Sequence, residues 1–120
     1  MIIYNDYLKS LGMKPDDYPF DEVSYDKLDK DMWVCIEETW NLNLTMAIQI
    51  YTYLCALRDV KAGHPACLGS MEEWNDILNE MIEGFADYIR RRDDVNFHPD
   101  NSKLEKSLKL MGEWWEALWW

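Results

Sequence analysis

Ser70-Met71-Glu72-Glu73-Trp74-Asn75-Asp76-Ile77-Leu78-Asn79-Glu80-Met81-Ile82-Glu83-Gly84-Phe85-Ala86-Asp87-Tyr88-Ile89-Arg90-Arg91-Arg92 is the stretch on which the architecture turns. It opens with a serine followed three residues later by a glutamate. That is a capping box, in which two side chains satisfy backbone N–H groups left open at a helix start. At about 100° per residue, Trp74, Ile77, Leu78, Met81, Phe85, Tyr88 and Ile89 fall within roughly 120° of one helix face. Glu73, Asp76, Glu80, Glu83 and Asp87 take the opposite side. The closing arginines suit the negative end of the helix dipole. The spacing predicts a helix over 70–92 with one face in a core and the other in water.

Downstream, Asp93 to Asp100 reads as a loop closed by His98-Pro99. Asn101 or Ser102 can cap a last helix over 102–120. There Leu104, Leu108, Met111, Trp115 and Leu118 step by 4, 3, 4 and 3, which makes a seam. Trp114 and Trp119 widen it, and Glu105, Lys109 and Glu113 form i,i+4 pairs on the far side. Core packing is expected to claim Trp115 and part of Trp114 and Trp119.

Upstream, Asn43 is a plausible cap for a helix over 43–62, which is apolar almost all round. Thr45, Gln49, Thr52 and Asp59 share a narrow polar arc. A helix so apolar is expected at the centre, with neighbours on most sides. Gly63 then ends it and Pro65 blocks continuation. Near the start of the chain, Asn5 or Asp6 can cap a short helix through Leu11, stopped by Gly12. Lys14 to Pro19 is turn-rich. Residues 21–40 fit two periods: Trp33, Ile36 and Trp40 suit a helix face, whereas Met32, Val34 and Ile36 suit a strand. With no second convincing strand to pair, helix is the reading adopted. The fold class expected is all-α: one domain over 1–120, a small bundle of three main helices with short N-terminal helices. Short connections make the last three helices antiparallel neighbours.

The totals agree with such a domain. Of 120 residues 48% are hydrophobic, enough for a core, and seven Trp and seven Tyr bring large apolar areas. The net charge is −11. Phosphate contacts need Lys and Arg, so direct nucleic-acid binding is not expected. The acid sits in two blocks, residues 1–39 and 70–101, each at −6. Such blocks serve solubility, or aim a negative surface at a basic partner. Three Cys and a polar N-terminal stretch fit neither a disulfide framework nor a signal peptide. With Gln49, Arg58, Asp59 and Lys61 inside it, the apolar helix is no membrane span. A cytoplasmic protein is expected.

No reaction centre emerges from the motifs. His64, Cys67, Cys35, Cys55 and His98 lack the spacing of a zinc site, so no metal and no cofactor are expected. The adjacent carboxylate pairs, such as Glu72-Glu73, lie where amphipathic helices meet water, and catalytic acids need a drier setting. No Glu lies three residues before a His, which a di-metal carboxylate bundle requires. No G-x-S-x-G or Gly-rich phosphate loop is present. Cys67 and His64 have no orienting third residue. Arg90 to Arg92 complement the dipole rather than hold an anion, because a helix C-terminus repels anions. The chain is therefore read as not an enzyme. The terminal aromatics carry more: Trp114, Trp115, Trp119 and Trp120 exceed what one side of a monomer can bury. Exposed Trp is enriched at hot spots, so this end is expected to serve as a homodimer or partner surface.

Several segments in fixed order carry a resemblance. They are Trp40-Asn41-Leu42-Asn43, Gly63-His64-Pro65, Glu72-Glu73-Trp74-Asn75-Asp76-Ile77-Leu78-Asn79-Glu80-Met81-Ile82, and the close Trp114-Trp115-Glu116-Ala117-Leu118-Trp119-Trp120. Over residues 40–120 the chain resembles a group of small uncharacterised phage and prophage proteins. The matching residues are mostly capping, apolar or turn-forming, so they bear on fold. A phage origin implies a host-takeover or anti-defence protein that docks on a host protein. Asp76, Glu80 and Glu83 on the acidic face, with Trp114, Trp119 and Trp120, are the candidate partner-binding residues. An acidic mimic of nucleic acid is one form of this reading. A self-associating assembly component, or a protein sequestering a small ligand among Trp33, Trp40 and Trp74, are the alternatives.

Overall fold

A computed structural model of the chain describes residues 6–13, 28–29, 34–35, 39–92 and 99–119, the two short central segments by backbone alone. In chain order these form α1 (Asp6–Ser10), β1 (Leu28–Asp29), β2 (Val34–Cys35), α2 (Leu42–Val60), α3 (Met71–Arg90), α4 (Ser102–Glu113) and a 3-10 turn (Trp115–Ala117). The fold is a small all-α bundle. β1 and β2 pair antiparallel, Leu28 opposite Cys35 and Asp29 opposite Val34. At those four residues the backbone is extended, and the helix expected across 21–40 does not form there. The missing strand partner was in the same stretch. Expectations for 14–19, Trp33, 93–98 and Trp120 lie outside the described residues.

Helix α3 begins as its sequence dictates. Ser70 Oγ accepts a hydrogen bond from the Glu73 N–H at 3.2 Å. The returning bond differs from the expected box: Glu73 Oε2 accepts from Gly69 N–H at 2.9 Å, one residue earlier than the cap's own amide. Trp74, Leu78, Met81, Phe85 and Ile89 are buried as expected, and so are Ile82, Gly84 and Ala86. At 100° per residue the buried arc therefore widens from roughly 120° to roughly 200°. That width gives α3 two neighbours. Among the described residues the broadest helix contacts are α3 with α4 and α3 with α2. The central helix is thus α3, not the apolar α2 expected from the sequence.

The α2 helix starts at Leu42 behind Asn41, one residue before its expected start, and ends at Val60, two residues before its expected end. It buries Ala47, Ile48, Tyr51, Leu54 and Cys55. Its expected polar arc is turned inward at one end: Asp59 is exposed, but Thr45 is 3% exposed, and the hydroxyls of Thr45 and Thr52 are buried without a hydrogen-bond partner. Leu42, Met46, Tyr53 and Val60 are exposed instead. Composition could not orient this helix because apolar side chains ring it, so packing against α3 decided. Gly12, at φ +75°, ends α1 and turns the chain so that Leu8 and Met13 plug the core. Tyr7 and Arg58 both donate to Asp59, tying α1 to the end of α2, each at 2.9 Å.

The last expected helix, 102–120, stops at Glu113, and a 3-10 turn follows. Its seam is also turned. Leu108 and Trp115 are exposed, while Ser107 is fully buried and Leu104, Leu110, Met111 and Trp114 pack against the core. The buried face thus lies roughly 60° from the expected one. The cause is a close crossing. A Cβ added to Gly84 would lie 1.8 Å from Ser107 Oγ and 2.4 Å from the Lys103 carbonyl oxygen. Two small residues let α3 and α4 touch backbone to backbone, and Ser107 Oγ donates to the Glu80 carbonyl at 3.1 Å.

Candidate functional site

The C-terminal aromatics are built from the core outward. Trp74, 1% exposed, meets Trp114 with ring centroids 5.5 Å apart and planes tilted by 51°. Such a tilted pair is a favourable aromatic geometry. It holds Trp114 half-buried at the C-cap of α4. Beyond it the chain leaves the α-helical path: Ala117 N–H donates to the Trp114 carbonyl and Leu118 N–H to the Trp115 carbonyl. The tighter turn throws Trp115 and Trp119 outward, 63% and 70% exposed. Trp115 is therefore not a core residue, contrary to expectation. Its place on the seam assumed that the helix continued.

Beside this turn lies a cleft of about 320 Å³. The loop residues Gly63, His64, Pro65 and Ala66 form one side, Trp74 the bottom, and Ala117 and Trp119 the other side. In the sequence, Gly63 and Pro65 stand only as a helix stop. The signal available was a loop that cannot become helix, close in sequence to a large aromatic. Of the residues expected around a ligand cavity, Trp74 lines this cleft, Trp40 is 85% exposed and Trp33 lies outside the described residues.

Charges around the cleft are arranged unevenly. Lys61, next to its loop, donates to the Arg58 carbonyl at 2.7 Å and to Asn75 Oδ1. Burial and the neighbouring Arg58 pull the Lys61 ammonium below the usual lysine range. Arg58 itself pairs with Asp59 and donates to Asn79 Oδ1 at 3.0 Å. Glu113, the last residue of α4, and Glu116, within the aromatic turn, are exposed. His64 is exposed, and its Nδ1 lies 3.0 Å from the Pro65 carbonyl. A carbonyl only accepts, so that nitrogen carries the proton.

The candidate acids sit on the outer face of α3. Asp76, Glu80 and Glu83 are all exposed. Glu83 pairs with Arg90 at 3.0 Å and Glu80 lies 3.8 Å from Lys106. Of the candidate aromatics, Trp119 lines the cleft, Trp114 supports it from behind through Trp74, and Trp120 lies outside the described residues. The acids and the aromatics are not brought into one pocket. The arginine run is engaged internally. Arg91 donates to Asp87 at 2.9 Å and to Asn101 at 3.2 Å, joining α3 to the start of α4.

Among the described residues no three of His, Cys, Asp and Glu cluster as metal ligands would. Free Cys55 is buried, where desolvation raises its thiol pKa, and Cys67 is exposed. No helix among the described residues is long and apolar enough to cross a membrane. No family model matches the chain, and no curated protein or solved structure does either.

Proposed function

We propose that this is a non-enzymatic, phage-encoded binding protein that docks on a host protein in the host cytoplasm and modulates it, as an anti-defence inhibitor would. The observation that supports docking is the outward pair Trp115 and Trp119, the second of which lines an apolar cleft. Large aromatics held in water by a rigid turn lose little entropy on binding, and they are favoured hot-spot residues. The acidic face of α3 would steer a basic partner toward them. The nucleic-acid mimic is a narrower form of this reading. Its carboxylates at 76, 80 and 83 rise about 6 and 4.5 Å along the helix. Two of them already face cations of the same chain, which weakens it.

The test is capture of partners from infected host cells with the wild type and with the double variant Trp115→Ala, Trp119→Ala. A specific host protein retained by the first and lost by the second is the expected result. Capture that ignores both tryptophans, yet disappears on charge reversal at Asp76, Glu80 and Glu83, would replace the aromatic reading with the mimic. Sizing at several concentrations separates the self-association alternative. A stable oligomer dissolved by Trp119→Ala would favour an assembly component. The cleft itself favours the small-ligand alternative. Native mass spectrometry of protein from its host would reveal a retained molecule.

A further inference from the structure

Resting on the docking reading, we propose that the cleft between the Gly63–Ala66 loop and Trp119 receives an arginine side chain from an extended basic segment of the partner. At about 320 Å³ it stands at the small end of ligand sites, which run from about 300 to 1,000 Å³. That space suits one or two side chains rather than a cofactor. Its walls are two indole rings, a proline, two alanines, a glycine and His64. They match a group with an apolar stem and a flat, weakly hydrated head. A guanidinium has that form and stacks on aromatic faces, which a strongly hydrated ammonium does less well.

Charge complementarity selects the cation. Lys61 and Arg58, the cations nearest the loop, are committed to partners on α2 and α3. Glu113 and Glu116, six and three residues before Trp119, are exposed, and the whole chain is at −11. A cation arriving at this rim thus meets unspent negative charge. The loop adds backbone groups. Between Gly63 and Cys67 the only backbone–backbone hydrogen bond among the described residues is from Leu68 N–H to the Pro65 carbonyl. An extended segment lying along this loop finds open donors and acceptors, as strand-like peptides do on other edges.

The experiment is an NMR titration of the intact chain, following indole N–H signals and backbone amides. The probe is the capped pentapeptide Ala-Arg-Ala-Arg-Ala, compared with a citrulline version that keeps shape and loses charge. Saturable shifts at Trp74 and Trp119 are expected, with the citrulline peptide about fivefold weaker or more. Trp119→Ala should weaken binding by a similar factor, about fivefold, with helical circular dichroism unchanged. Tyr53→Ala, on the exposed face of α2 and outside the cleft lining, should leave it intact. Equal binding of both peptides would overturn the proposal. So would shifts confined to the amides around Asp76 and Glu83, or a neutral probe such as indole filling the cleft where the arginine peptide does not. Those results would leave docking itself standing. Docking falls only if host capture ignores Trp115, Trp119 and the acidic face together.

Discussion

Gly84 of α3 and Ser107 of α4 meet so closely that a Cβ on the glycine would fall 1.8 Å from the serine oxygen. The serine oxygen could swing away. The Lys103 carbonyl, 2.4 Å from the same point, belongs to the backbone and cannot. Gly84→Ala must therefore push the two helices apart and open the widest contact in the bundle. A loss of about 2–3 kcal/mol is expected in urea unfolding. Adding Ser107→Gly should restore only part of it, since the carbonyl clash remains.

Thr45 presents a different case, a buried hydroxyl with no partner. It is 3% exposed and its oxygen has no hydrogen bond. A buried unsatisfied polar group carries its desolvation cost without compensation. Thr45→Val keeps the branched shape and removes that group. It should raise stability by about 1 kcal/mol, read as a higher denaturation midpoint at unchanged slope. A destabilised variant would mean that the hydroxyl is bonded in solution.

The cysteines test the core differently. Cys55 is buried and desolvation pushes its thiol up, so little reactive thiolate forms. Cys67 is exposed in the cleft loop. Under native conditions iodoacetamide should label Cys67 at least about tenfold faster than Cys55, as peptide mass mapping would show. Labelling Cys67 should also disturb the indole signals of Trp74 and Trp119, because its loop forms one wall of the cleft.

The docking of α1 should depend on pH at both extremes. The hydrogen bond from Arg58, joined by that from Tyr7, holds the Asp59 carboxyl below the usual carboxylate range. A lowered carboxyl stabilises the fold above its unfolded value, about 3.9, and loses that contribution as pH falls through its folded value. Tyr7 moves the other way, its phenol raised chiefly by its hydrogen bond to Asp59. Its contribution is complete below about pH 10 and is lost as pH rises through the raised value. Asp59 is partly exposed, at 45% of its side chain, so screening limits the acid effect to under about 1 kcal/mol. Methyl signals of buried Leu8 followed against pH would report both limits, and Asp59→Asn should remove the acid one.

Much of the fold was legible because α3 states its own orientation. Its cap, its apolar face and its acids agree, and the structure follows them. What could not be read was relational. The apolar ring of α2 offers no preferred face, so only the neighbour decides that Thr45 goes in and Tyr53 out. The regular steps of Leu104, Leu108 and Met111 in α4 suggested a seam, yet a glycine on another helix turned the crossing toward Ser107. In the candidate site, surplus tryptophan was visible as a count. Which of them stand in water depends on a change from α to 3-10 geometry after Trp114. The cleft joins residues some 55 positions apart, such as His64 and Trp119, and no local period encodes that.

Trp74 belongs to two environments at once, the bottom of the cleft and the tilted pair with Trp114. Whatever settles in the cleft therefore leans on the same indole that knits α3 to the end of α4. Occupancy and folding are thermodynamically linked, and an occupant at a hundred times its dissociation constant adds about 2.7 kcal/mol. For a chain of this size that is a rise of roughly ten degrees or more in melting temperature. Heat alone thus becomes an assay for molecules that fit, and the protein's own indole fluorescence becomes its reporter.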